Sequence, residues 1–255
     1  MLTDSVLRSL TGSLGHDLFG FVPELLVCAA IVLMLVLRLF KGFARTHMSG
    51  VAMAFVLFAL SFTALHSAVK WWPNAPSFLK SYDLLQDLAK RDGAFGGMIV
   101  ADQLTNFLRL VLLSFAALMI WFSRLTGIPD RDDSADFYTL LLGGTLGMML
   151  MGSANHLLMV FIAVEMASIP SYALAGFLKG RRQSSEAALK YVVYGGGASG
   201  VMLYGISLVA GRYGTGYLPD LAQAIQAQMA AGTGISSLDT MILLGLVFIL
   251  AIKAN

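Results

Sequence analysis

Charge is the scarcest property of this chain. Asp, Glu, Lys and Arg make up 13% of its 255 residues, against about 25% in an ordinary soluble domain. That deficit excludes a soluble globular core with a solvated surface. Cysteine is rarer still: Cys28 is the single one and sits in an apolar run, so neither an internal disulfide framework nor a thiolate metal site can be built. Four histidines, at 16, 47, 66 and 156, show no ligand spacing. The formal net charge of +2 argues neither for nor against an acidic partner, and no nucleic-acid partner is expected. The first strongly apolar run begins near Gly20. It lasts too long for a signal-peptide core and lacks a small-residue cleavage site, so it should remain as a membrane helix.

What is present is apolar. Hydrophobic residues account for 57% of the chain and the mean hydropathy is +0.76. The expected fold is all-α, a polytopic transmembrane bundle forming one domain over 1–255, with six complete helices and a truncated seventh. Each run is close to the 20 residues a bilayer requires. The runs cover about Phe21–Phe40, Met48–Val69, Met98–Ser123, Phe137–Gly152, Asn155–Lys179 and Glu186–Ala210, and the last begins near Leu238. Pro23 and Glu24 fall in the first turn of the first run, where proline is tolerated and an acid suits the helix dipole, so Glu24 reads as interfacial. Ser184 or Ser185 is placed to cap the sixth run. The polar stretches 73–97, with a short surface helix near 77–91, and 212–237, with an amphipathic segment, are expected as loops on one side.

Orientation follows from the short loops. With the N-terminus outside, loops 38–45, 124–136 and 179–183 lie in the cytoplasm and hold eight Lys or Arg residues. The tight turn at Ser153–Asn155 holds none. The positive-inside rule favours that arrangement.

Ionisable residues at membrane depth carry the chemistry. Arg109, Glu165, Lys190 and Lys253 stand inside apolar runs, where a charge costs about 2.5 kcal/mol or more unless it faces protein or water. Glu165 lies near the midplane, too deep to snorkel. Lys190 lies closer to the cytoplasmic start of its run. It can reach the interface, pair with Glu186 four residues earlier, or take part in a relay. Arg109 reads as a structural ion-pair residue, and His156 as a cap at the start of its helix. Pro170, five residues after Glu165, removes a backbone hydrogen bond to Met166 and is expected to open a polar spot beside the acid, with Ser168 and Ser171 nearby. An acid, freed carbonyls, serines and basic groups on neighbouring helices are the parts of a proton relay.

Gly195–Gly200 contains the G-x-G-x-x-G pattern. It lies within one apolar run and not between a strand and a helix, so a dinucleotide fingerprint is excluded. Gly196 with Gly200, and Gly143 with Gly147, read as small-residue packing faces.

Two motifs carry a resemblance. Residues 165–177 read E-x-x-S-x-P-x-Y-A-L-A-G-F, and the lysine of E-A-x-L-K-Y, Lys190, follows 25 residues after the acid. With Pro23-Glu24 and Val100-Ala101-Asp102, these resemble subunit N of bacterial NADH-quinone oxidoreductase (respiratory complex I), an antiporter-like membrane subunit. The resemblance covers most of the chain. It implies a proton channel in which Glu165 is the buried helix-5 glutamate, Lys190 the helix-6 lysine and Lys253 the channel lysine, partner of Glu165. The run Phe248–Asn255 departs from the F-K…P-F-H pattern expected there, and His156 replaces an acid. The resemblance further implies a bacterial inner membrane, a lipid bilayer and other membrane subunits as partners. No cofactor is implied in this chain: NADH, FMN, iron–sulfur clusters and quinone belong to partner subunits. Family members hold about twice as many helices, so the chain is expected to be the first half of a longer subunit. A cation/proton antiporter subunit and a non-conducting membrane scaffold are the alternative readings.

Overall fold

The structure, a computed structural model, describes residues 17–18, 20–40, 48–71, 94–127, 133–178, 180–230, 240 and 245. Seven helices stand among them: α1 Val22–Leu39, α2 Ser49–Trp71, α3 Gln103–Thr126, α4 Ser134–Ser153, α5 Leu157–Ala175, α6 Arg182–Tyr213 and α7 Leu218–Ala230. Pairing between extended segments is limited, among the described residues, to three isolated bridges. The protein is an all-α polytopic bundle. Five helices (α1, α2, α3, α5 and α6) are long and apolar enough to cross a membrane. The expected surface helix near 77–91, and the apolar run from Leu238 onward with Lys253, lie outside the described residues.

Local chemistry sets the helix ends. The third helix starts five residues later than its apolar run. Gly96 and Gly97 adopt left-handed backbone (φ 71° and 87°), turning the chain so that Ala94 bridges Ile99. Asp102 then caps α3, its carboxylate accepting from the Thr105 N–H at 2.7 Å. Gly127, at φ 70°, ends the helix. His156 caps α5 as expected, Nδ1 accepting from the Leu158 N–H at 3.1 Å. The cap expected at Ser184 or Ser185 is corrected: α6 begins at Arg182, and the Ser184 hydroxyl donates to the Ala175 carbonyl at the end of α5. A short connection, 176–181, thereby joins α5 and α6. The amphipathic segment expected within 212–237 is α7.

Helix α4 lies at the centre. Tyr138, Leu142, Leu146 and Met149 are fully buried on it, packed with Met34 of α1, Val56 of α2 and Leu113 and Ile120 of α3. Near its start, the Tyr138 and Ser123 hydroxyls are hydrogen-bonded at 3.2 Å, linking α4 to the end of α3 inside the core. At one end Arg38 of α1 pairs with Asp136 of α4. A second, smaller core joins α5, α6 and α7 through Leu157, Met202, Ile206, Val209 and Leu221. Helix α5 therefore stands between two packed units.

Helices α4 and α5 approach backbone to backbone. A Cβ on Gly147 would meet the Ala167 backbone nitrogen at 2.4 Å, and one on Gly143 would meet the Pro170 ring at 3.4 Å. The small-residue face expected at Gly143 and Gly147 is therefore real, and it lets two backbones touch. The face expected at Gly196 and Gly200 meets no helix among the described residues. Both glycines are exposed, and a Cβ on either would meet nothing within 4 Å among the described residues. The glycine that α6 uses is Gly195, where a Cβ would lie 2.0 Å from the Tyr172 hydroxyl. One residue is 100° of helix rotation, enough to move a contact off the face.

At the other end of the bundle three loops are knitted together. The Asn155 N–H donates to Met98 O and its side chain to Gly97 O, while Leu218 N–H donates to Asn155 O. Asp17 accepts from Phe95 N–H, and the Tyr217 hydroxyl donates to Gly96 O. This ties the start of α5 and of α7 to the entry of α3.

Candidate functional site

Helix α5 carries Glu165 about eight residues, or 12 Å, from its first turn. Neighbouring residues explain which way it faces. Ala163, Met166, Ala167 and Pro170 lie on the side that meets α4, where Gly143 and Gly147 admit the backbone. Glu165, Tyr172 and Ser171 turn toward α6. The Ser199 hydroxyl lies 2.5 Å from Glu165 Oε1 and 2.7 Å from the Gly195 carbonyl one turn earlier on α6. The Tyr172 ring fills the groove left by Gly195 and packs edge-on against Tyr191, with centroids 4.6 Å apart. The Ser171 and Tyr191 hydroxyls approach to 3.3 Å. Antiparallel packing of α5 on α6 thus lines up Glu165, Ser199, Gly195, Tyr172, Tyr191 and Ser171 along one interface.

Helix α5 runs unbroken from Leu157 to Ala175 with Pro170 inside it. The ring packs against the Gly143–Gly144 surface of α4, and the hydroxyl at Glu165 comes from Ser199 of α6. Ser168 bonds back to the Val164 carbonyl at 2.7 Å, and Ser171 to the Ser168 carbonyl at 2.6 Å.

The other ionisable residues fall into separate places. Lys190 is 74% exposed on α6, and its ammonium lies 2.7 Å from Glu186 Oε1 in an i,i+4 pair. It stands nine residues before Ser199, about 13 Å along the helix, and is not brought to Glu165. Lys253 lies outside the described residues. Arg109 forms the ion pair expected of it, and its partner corrects the reading of Glu24. That glutamate is fully buried, its Oε1 accepting from Arg109 Nε at 2.7 Å. Arg109 Nη1 also reaches Asn106 Oδ1 at 3.4 Å. Glu24 sits in the first turn of α1, as read, but points into the bundle at α3 instead of to the interface.

The residues missed from sequence are Ser199, Gly195 and Tyr172. Tyr172 belongs to the E-x-x-S-x-P-x-Y run, two turns beyond Glu165. Ser199 had a weaker signal: it is the lone hydroxyl in the glycine-rich segment and one turn beyond Gly195. Among the described residues no group of three or more His, Cys, Asp or Glu could hold a metal ion.

Glu165 is thus a half-buried carboxylate held by a hydroxyl between two apolar, membrane-length helices. Residues 154–253 match the NADH:quinone oxidoreductase/Mrp antiporter transmembrane family. The segment opens at the α4–α5 turn and contains Glu165, Lys190 and Ser199. The chain is similar to NADH-quinone oxidoreductase subunit N 2 of Sorangium cellulosum, 37% identical over 215 residues, which are 82% of this chain and 39% of that protein. It is 42% identical over 159 residues to subunit N 2 of Symbiobacterium thermophilum, covering 61% of this chain and 31% of that protein. Among solved structures, a chain of respiratory complex I from Thermus thermophilus superposes with a TM-score of 0.57 at 26% identity. It covers 80% of this chain and 41% of that one. The resemblance to subunit N read from the E-x-x-S-x-P and E-A-x-L-K-Y motifs is thus supported independently. The chain spans about two fifths or less of the length of these subunit N relatives.

Proposed function

We propose that this chain is part of a proton-translocating membrane subunit of an NADH-quinone oxidoreductase, with Glu165 as the proton-carrying group. The observation that carries the reading is the position of Glu165, mid-helix on α5 and hydrogen-bonded to α6, within the segment that matches the family. Ionisable groups inside membrane helices mark ion and proton pathways because nothing else offsets their cost. Lys253 of the last apolar run is the partner of Glu165 in this reading, and Lys190 of α6 passes protons between half-channels. Hydride and electron transfer belong to partner subunits that hold NADH, FMN, iron–sulfur clusters and quinone. Other membrane subunits cover exposed faces such as the Val193, Tyr194, Val201 and Tyr204 side of α6, and lipid covers the rest. The bundle forms a single domain in a bacterial inner membrane with its N-terminus outside. This arrangement puts 73–97 and 212–237 on the outer side. Arg38 and Asp136 then fall at the cytoplasmic ends of α1 and α4.

The test is Glu165→Gln in the complete subunit, assembled in its complex and reconstituted in vesicles. Proton uptake and NADH-driven quinone reduction should fall together by about 100-fold, the scale of a lost acid–base group. Wild-type rates of both would refute the role. The family's description also includes antiporters, which supports a second reading as a cation/proton antiporter subunit. Transport without NADH that depends on sodium would favour it.

A further inference from the structure

A half-buried carboxyl that gains and loses a proton between two helices needs a partner for each form. An ammonium or a backbone N–H can donate to the ionised form and to the carbonyl oxygen of the protonated one, but offers the new O–H no acceptor. An unsatisfied buried polar group costs about 1–3 kcal/mol. A hydroxyl has both a donor and two acceptor lone pairs, and its hydrogen rotates freely.

Ser199 has the geometry to use both. Its oxygen lies 2.5 Å from Glu165 Oε1 and 2.7 Å from Gly195 O, so its single hydrogen has two acceptors to choose between. The backbone there is held in place. Gly195 has no side chain because the Tyr172 ring occupies that space, and Tyr172 is itself backed by Tyr191. The Tyr172–Gly195 contact thus sets the register that puts Ser199 opposite Glu165. Among the described residues of α4 and α6, the other charged groups lie away from this contact. Helix α4 carries none beyond Asp136 in its first turn. On α6 the nearest before Ser199 is Lys190, nine residues away and engaged by Glu186, and the next after it is Arg212.

We propose that Ser199 is a two-state positioning residue for Glu165. With Glu165 ionised, the Ser199 hydroxyl donates to Oε1. When Glu165 takes up a proton from the channel, an O–H bond forms on the carboxyl. That O–H donates to Ser199 Oγ while the serine hydrogen turns to the Gly195 carbonyl. The serine keeps its own proton throughout, so the exchange is a reorientation and the Glu165–Ser199 hydrogen bond is kept in both states. The acid therefore changes charge without leaving the α6-facing position. This inference rests on the proposed proton-carrying role of Glu165.

The experiment compares Ser199→Ala, Ser199→Cys and Ser199→Thr with Glu165→Gln in the complete subunit within its complex. It measures proton uptake and the infrared carboxyl band that disappears in Glu165→Gln. Ser199→Ala should slow uptake about tenfold, the scale of a lost hydrogen bond to a charged group, and move the band to higher wavenumber. Ser199→Thr, which keeps the hydroxyl, should restore both. Ser199→Cys, a near-isosteric and weaker donor, should fall between them and serves where the alanine variant does not assemble. A normal rate and an unmoved band in assembled Ser199→Ala or Ser199→Cys, with Glu165→Gln inactive, would overturn the role of Ser199 alone. A normal rate in Glu165→Gln would overturn the proton-carrying role of Glu165 and this inference with it.

Discussion

The Glu24–Arg109 pair makes the most direct demand on the fold. The two side chains are 0% and 4% exposed and meet at 2.7 Å between α1 and α3. At an effective dielectric constant of about 20, unit charges 4 Å apart attract by about 4 kcal/mol. Desolvation consumes much of that attraction, so the pair adds little net stability while each member alone is costly. The two single losses should differ. Glu24→Leu strands a guanidinium that cannot lose its proton, and should cost about 3–5 kcal/mol. Arg109→Leu strands a carboxyl that can become neutral by binding a proton. Its cost should be nearer the 1–3 kcal/mol of an unsatisfied buried polar group. The double variant Glu24→Leu/Arg109→Leu removes both charges and should recover most of the loss. The assay is denaturant unfolding of the complete subunit in bilayer discs, read as a double-mutant cycle. The expected order, from least to most stable, is Glu24→Leu, Arg109→Leu, double variant. A double variant as unstable as the sum of the singles would refute the coupling, and equal single costs would refute the asymmetry.

Two further outcomes follow from the packing. Gly147→Leu should prevent the α4–α5 approach, because even its Cβ would lie 2.4 Å from a backbone nitrogen, whereas Gly143→Ala meets the Pro170 ring at an ordinary 3.4 Å. Assembly measured by size exclusion of solubilised complex should fail for the first and survive the second; normal assembly of Gly147→Leu would contradict the contact. Lys190→Ala breaks an exposed i,i+4 pair with Glu186 and should change stability by no more than about 0.5 kcal/mol. A proton-uptake loss in that variant would therefore report the relay, and unchanged uptake would remove Lys190 from it.

Much of the bundle could be read locally because a membrane span is a local property. A run of apolar residues of bilayer length announces itself, and so do its caps. His156 and the Ser153–Asn155 turn were read correctly for this reason. Errors occurred where a partner from elsewhere determined the outcome. Asp102 fell inside an apolar run but became a cap once Gly96 and Gly97 turned the chain. Glu24 looked interfacial by its place in the first turn, yet a partner 85 residues away holds it in the core. For Pro170, the tertiary structure alone shows that its ring meets the glycines of α4.

What the sequence by itself determined is which segments are helices in an apolar medium and that Glu165 stands deep within one of them. Hydropathy depends only on composition along a run. What only the tertiary structure decided is what each helix face meets. Glu165 meets Ser199, and Tyr172 meets Gly195 instead of Gly196 or Gly200. Each residue turns a helix face by 100°, so a partner is chosen by the register between two helices. That register is set by close contacts, such as Ala167 against Gly147 and Tyr172 against Gly195, that join residues far apart in the chain.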